Sequence, residues 1–185
     1  MEILRKIYAF LIDSLQTILI AAAIFLVIYV FLFRPFEVNG ESMYPNFYDK
    51  EYVLTNLIVL RFNNPILGDV IVFKAPPEPE KDYIKRVIGM PGDTISIQNG
   101  SVYRNNKLLD ESKYLKPDVK TYSGAFLKDG EAIKVPEGEY LVMGDNRMES
   151  SDSREWGFVN KSAVIGESLF VYWPLNRARV ISNPY

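Results

Sequence analysis

Ser42, followed by Met43 and then Pro45, lies nine residues past the end of a long uncharged apolar run, in a 185-residue chain with no histidine and no cysteine. If Ser42 is a nucleophile, its proton cannot pass to an imidazole, no thiol can replace it, and the usual His/Cys zinc sites are closed to the chain. The common base that remains is an amine or a carboxylate. Lys85 supplies the amine, within Tyr83-Ile84-Lys85-Arg86-Val87-Ile88-Gly89-Met90-Pro91-Gly92-Asp93, whose first half reads as a strand.

Strand alternation puts Tyr83, Lys85 and Val87 on one face and Ile84, Arg86 and Ile88 on the other. A lysine between Tyr83 and Val87 is a candidate for desolvation, which disfavours the ammonium form, and Arg86 beside it pushes the same way. The shift matters because an ordinary lysine is neutral in less than about one part in a thousand at pH 7. The rival reading is an edge-strand lysine that keeps unwanted strand pairing in check. Ser42 has a rival too, since Asn39-Gly40-Glu41-Ser42 makes a respectable polar turn. A third segment bears on the choice: Gly144-Asp145-Asn146-Arg147-Met148-Glu149-Ser150-Ser151-Asp152-Ser153-Arg154-Glu155-Trp156-Gly157 is dense in turn formers and hydrogen-bonding side chains, just after a predicted strand.

These residues need an element that places them. Residues 14–33 carry no charge, and 17–33 are almost wholly aliphatic or aromatic, enough for one bilayer crossing as a helix. A cleavable signal peptide has a shorter apolar stretch of ~7–15 residues ending in a small-residue site. Phe31-Leu32-Phe33-Arg34-Pro35-Phe36 offers no such site, so 14–33 reads as an uncleaved anchor in the cell membrane. Arg5 and Lys6 before the span outweigh Arg34 after it, which favours a cytoplasmic amino terminus and an extracytoplasmic domain over 34–185. Within 1–13, Leu4, Ile7, Tyr8 and Leu11 fall at helical spacing; they form either an interfacial stripe or one continuous helix with the anchor.

With 48% hydrophobic residues, the part beyond the anchor can bury a real core as one domain. A formal charge of −2 without a basic block argues against nucleic acid as a partner. Nothing in the sequence fixes an oligomeric state.

Past Arg34-Pro35 the pattern changes to short extended runs between turn residues, predicting a mainly β, antiparallel domain with sparse helix. Strands are expected at 51–58, 69–73, 82–88, 139–143 and 163–171. The 69–73 run, Asp69-Val70-Ile71-Val72-Phe73, has the composition of a strand buried on both faces. Residues 94–98 and 101–104 flank Asn99-Gly100, a type I′ hairpin signal, and Asn105-Asn106 starts a candidate second hairpin. Residues 109–135 are polar and irregular, and with the hairpins they read as a small mobile insertion at about 99–135.

Together the segments resemble the type I signal peptidase family, membrane-anchored Ser/Lys endopeptidases that remove signal peptides from exported proteins. The resemblance covers most of the chain. It rests on the anchor, Gly40-Glu41-Ser42-Met43-Tyr44-Pro45, Gly68-Asp69-Val70-Ile71-Val72-Phe73, the Lys85-to-Asp93 stretch, and Gly144-Asp145-Asn146-Arg147 through Asp152-Ser153-Arg154, in that order. It implies Ser42 as nucleophile and Lys85 as general base, with no metal or organic cofactor. Ser150, with Ser151 as competitor, would orient the amine, and Asp152 with Arg154 and Arg86 would form a supporting ion-pair network. Phe36, Val38, Met43, Tyr83 and Ile84 would surround shallow pockets for small side chains, where substrate pairs as an added strand.

Two departures stand out. Gly40 occupies a position where some members carry an oxyanion-binding serine, so the hole would rest on backbone N–H groups, chiefly that of Ser42. Tyr44, Asn46-Phe47 and Met148-Glu149 also differ from the commoner residues. Two other functions fit part of the pattern: a self-cleaving repressor protease, which predicts a DNA-binding segment where this chain has its span, and a membrane-anchored β domain that binds extended peptides without cleaving them.

Overall fold

The computed structural model describes residues 1–58 and 63–185. Helix α1, Glu2–Leu32, runs unbroken through both the 1–13 segment and the apolar span, so the Leu4/Ile7/Tyr8/Leu11 stripe and the anchor share one helix. Its candidate spanning window, Glu2–Val27, has no buried side chains, as suits a helix that meets lipid rather than a protein core. Phe33 caps it in an extended conformation and leads straight into β1, Phe33–Glu37.

The chain beyond the helix is built mainly from antiparallel strands. An eight-stranded sheet, counted among the described residues, joins β1 to β2 (Tyr52–Asn56), then β11 (Val164–Trp173), β3 (Val70–Ala75), β4 (Glu78–Gly89), β9 (Glu139–Met143) and β10 (Val159–Asn160); β12 (Arg179–Val180) pairs with β11. The smaller sheet orders β7 (Lys107–Leu108), β6 (Ser101–Arg104), β5 (Thr94–Gln98) and β8 (Ala132–Lys134). Both hairpins form as the sequence predicts: Asn99 and Gly100 take φ of 52° and 81°, the positive pair a type I′ turn requires, and Asn105 and Asn106 close the second. Val70, Ile71, Val72 and Phe73 are all buried, as a strand covered on both faces must be. Helix α2, Ser153–Trp156, is a single turn capped by the Asp152 carboxylate.

β4 lies between β3 and β9, but Lys85 stands just where β9 stops, and it is its burial, not its place in the sheet, that argues against a solvent-facing edge lysine. β9 reaches only Arg86, Val87 and Gly89 of β4, which leaves the first part of that strand open on one side.

The insertion also needs correction. The second sheet begins at Thr94, ahead of the expected boundary near 99, and β8 falls inside the stretch read as irregular. Far from being only polar, that stretch buries Tyr114, Leu115 and Leu127 with Ile88, Ile95, Ile97 and Met143 in one apolar cluster between the sheets. These side chains are spaced without a helical or strand period, so their burial is a tertiary effect. Leu127→Ala is accordingly expected to lower stability by about 2–5 kcal/mol in chemical denaturation of the detergent-solubilised chain; a loss under about 0.5 kcal/mol would mean that 109–135 is no part of the cooperative core.

Candidate active site

Ser42 sits in the turn after β1, and its Oγ lies 2.7 Å from the Lys85 Nζ on β4. The same amine also reaches the Ile84 carbonyl at 2.9 Å and stands 5.1 Å from the centre of the Tyr83 ring. Lys85 is only 4% exposed. Burial pushes its ammonium down to about 8, against the upward pull of Asp152 and Asp145. A lysine of that pKa is neutral in roughly one molecule in ten at pH 7, a few hundred times more often than a free one.

Both carboxylates are committed elsewhere. Asp145 receives Arg86 Nε at 2.9 Å and Nη2 at 2.7 Å, with Asn46 Nδ2 also donating at 2.8 Å. Asp152 receives Arg154 Nε and Nη2, each at 2.8 Å, together with the Gly144 N–H and the Ser150 hydroxyl. Burial works against ionisation of Asp152, yet the Arg154 guanidinium and these donors hold its carboxyl below the usual range.

The expected network of Asp152, Arg154 and Arg86 is thus divided into two pairs. Arg86 cannot serve Asp152 because its planar fork is filled by Asp145 and its remaining nitrogen donates to the Gly68 carbonyl at 2.8 Å. Sequence reasoning alone does not single out Asp145; its acidic type within the Gly144-Asp145-Asn146-Arg147 run is the available signal. Arg147 escapes it likewise. It is buried, pairs with Glu111 and donates to the Gly144 carbonyl at 3.0 Å, tying this loop to the 111–121 segment.

Ser150 directs its hydroxyl to Asp152 and makes no hydrogen bond to Lys85 among the described residues. It does stand next to the Ser42 turn: a Cβ on Gly144 would fall 2.2 Å from Ser150 Oγ and 2.4 Å from the Ser42 carbonyl oxygen. Only glycine lets these two approach. Ser151 instead lines the cleft and accepts from the Trp156 indole at 3.2 Å.

Asn146 fastens the Ser42 turn through its N–H to Ser42 O at 3.0 Å and its Nδ2 to Glu41 O at 3.1 Å. The Ser42 N–H has no acceptor among the described residues. Gly40 has φ +91°, where a serine side chain would be strained, and its N–H donates to Asp49 at 2.7 Å.

A cleft of about 640 Å³ runs from Arg34 to Ser42 and Lys85, with Phe36, Val38, Tyr83 and Ile84 among its walls. Met43 is absent from them. Expected at a pocket, it is 1% exposed and packs inward with Val38, Phe47, Val53, Val70 and Val171, because the turn aims the side chain after Ser42 into the core.

A lysine whose folded pKa lies below that of the unfolded chain destabilises the fold. The penalty, roughly 3 kcal/mol for a shift of this size, is present in full below about pH 8 and fades as pH rises to the free-lysine value. Lys85→Met is therefore expected to stabilise the chain by about 1–3 kcal/mol at pH 7, with the gain shrinking above about pH 9, as read by denaturant titration at several pH values.

The chain is similar to known proteins over most of its length. The family model described as "Signal peptidase, peptidase S26" matches residues 11–173. Signal peptidase I P of Bacillus subtilis subsp. natto is 39% identical over 173 residues, covering 91% of this chain and 92% of that protein. Signal peptidase IB of Staphylococcus aureus (strain MRSA252) is 34% identical over 185 residues, covering 94% and 95% respectively. A crystal structure of a signal peptidase I from Enterococcus faecalis V583 aligns with a TM-score of 0.47 and 30% identity, over 57% of this chain and 97% of that one. Matched by the family model over most of its length, and by the Bacillus and Staphylococcus proteins nearly end to end, the chain belongs to the signal peptidase family, peptidase S26, and is a serine peptidase.

Proposed function

We propose that this chain cleaves signal peptides from exported precursors at a membrane surface, with Ser42 as nucleophile and Lys85 as general base. The observation that carries the reading is the 2.7 Å approach of a desolvated amine to the serine hydroxyl. In the reactive state Lys85 is neutral and the hydroxyl donates to it. Ser42 Oγ attacks the scissile carbonyl as its proton passes to Nζ, and the Ser42 N–H receives the developing oxyanion. The lysine then returns the proton to the leaving amine. Water attacks the acyl-enzyme by the same route, freeing the carboxylate product and Ser42.

Helix α1 anchors the domain by crossing the bilayer once, with the amino terminus cytoplasmic and residues 34–185 outside. Substrate lies extended in the cleft between the chain leaving β1 and the open side of β4, where main-chain pairing supplies affinity and the Phe36, Val38, Tyr83 and Ile84 walls admit small side chains. Ser150 and Asp152 hold the Gly144 loop against the nucleophile, and Arg86 and Arg154 neutralise the carboxylates around the amine.

Ser42→Ala and Lys85→Ala, each assayed in bilayers on a precursor protein, are expected to lose at least ~1000-fold in kcat/KM; normal cleavage by either variant removes that residue from its role. A serine-directed acylating probe labelling Ser42 separates an enzyme from a peptide-binding domain. For the free enzyme, kcat/KM should rise with pH through an apparent pKa near 8, as the neutral amine gains population. Because the Asp152 charge pulls the Lys85 pKa upward, Asp152→Asn should move that limb to lower pH; an unmoved or higher limb contradicts the electrostatic coupling.

A further inference from the structure

A second cavity, of about 550 Å³, shares no lining residue with the cleft and is walled in part by residues 145–148, the loop just ahead of Glu149 and Ser151 in the cleft wall. It begins at Tyr44 and Pro45, two and three residues beyond the nucleophile, and continues over Asn146 and Met148 to Leu115, Val119 and Tyr122. Asn146 is shared between the two regions in a physical sense: its backbone holds the Ser42 carbonyl while the residue lines this cavity. The walls are greasy for a surface feature, with Tyr44 45%, Tyr122 54% and Met148 68% exposed. Tyr44 is steadied by an edge-on contact with Tyr48, 5.3 Å between ring centroids.

The anchor gives the substrate a direction. The first cleft starts at Arg34, two residues past the end of α1, so the part of a precursor still held in the bilayer enters from that end. The residues before the scissile bond therefore fill the first cleft, and those after it must leave on the far side of Ser42. The second cavity is the one whose lining continues the turn directly beyond Ser42, through Tyr44 and Pro45. At about 3.3 Å per extended residue, the second to fourth residues past the bond reach roughly 7–13 Å from it. That suits a cavity whose nearest wall is two residues from Ser42.

We infer that this cavity is a leaving-side subsite, which takes an apolar or aromatic side chain from the second to fourth residue of the mature chain and so selects among precursors by their residues beyond the cleavage site. Lys116 and Lys120 on the rim outnumber Asp118, so the flanking segment is neutral or acidic. The floor contributes no free charge, because Arg147 is paired with Glu111 and Asp145 with Arg86. The inference rests on the peptidase function proposed above and adds a determinant of substrate choice to it.

The test uses the full chain in phospholipid vesicles and fluorogenic peptides that share every residue up to the scissile bond. In each, the second, third or fourth residue after the bond is Ala or Phe. The ratio of kcat/KM for the Phe peptide to that for the Ala peptide is read within each enzyme, which cancels any general loss. At one or more of the three positions the wild type should show a ratio of about five or more, falling to within about two-fold of unity in the Tyr122→Ala/Met148→Ala double variant. A wild-type ratio near one at all three positions, or a preference that survives the double variant, overturns the subsite while leaving the peptidase reading intact. Failure of the wild type to cleave any of the peptides in a Ser42-dependent way overturns both.

Discussion

The proposed chemistry depends on a buried amine that has no counter-ion of its own. Two carboxylates stand near enough to bias Lys85 toward its charged form, yet each is bound to a guanidinium: Asp145 to Arg86 and Asp152 to Arg154. The two pairs cancel, so the buried group as a whole is neutral only when the lysine is neutral. An unpaired aspartate at either place would complete an ion pair with the ammonium and hold its proton. Arginine suits the screening task because it stays charged at any working pH and fills both oxygens of a carboxylate at once. The fold thus accepts the desolvation of a fifth ionisable group, at a cost in stability, to keep a base available.

A base is useful only if its target is held still. The nucleophile's turn is an irregular segment, and its position is set by other loops as well as by the sheet. Asn146 binds the carbonyls of Glu41 and Ser42, Asn46 reaches back to Asp145 and to the Tyr114 carbonyl, and Arg147 links the Gly144 loop to Glu111. Met43 adds an apolar pin by entering the core directly after Ser42. Lys85 and Arg86, by contrast, belong to a strand of the sheet: both pair with β3, and Arg86 also pairs with β9. The site is therefore a rigid strand facing a cross-braced turn, which is how sub-ångström geometry is kept across elements distant in sequence.

The features legible in the sequence are those that local chemistry decides. Asn99-Gly100 dictates its own turn, the Val70-to-Phe73 run announces burial on both faces, and alternation places Lys85 beside Tyr83. Partner choice is hidden. Asp145 and Asp152 lie in one polar loop, and nothing in their spacing says which takes Arg86 and which Arg154. Met43 reads as a wall of the cleft because its direction depends on the turn geometry after Ser42. Tyr114, Leu115 and Leu127 stand among lysines and turn residues without a period, and only the packing between the two sheets draws them inward.

The joint between helix and sheet explains how a shallow cleft can suffice. Leu32 ends α1 and Phe33 begins β1, so the helix passes into the sheet without an intervening loop. At 1.5 Å per residue the helix is about 46 Å long, so in the membrane-crossing arrangement proposed above it would exceed about 30 Å of hydrocarbon, and its end would set the mouth of the cleft near the bilayer surface. In that arrangement a precursor tethered in the same membrane would meet this mouth as a confined partner, at an effective concentration set by the bilayer instead of the bulk. Tight binding is then unnecessary, and would only deepen the ground state without helping the chemical step. Main-chain pairing and small pockets are enough to present the carbonyl, and discrimination can be left to the residues on each side of it.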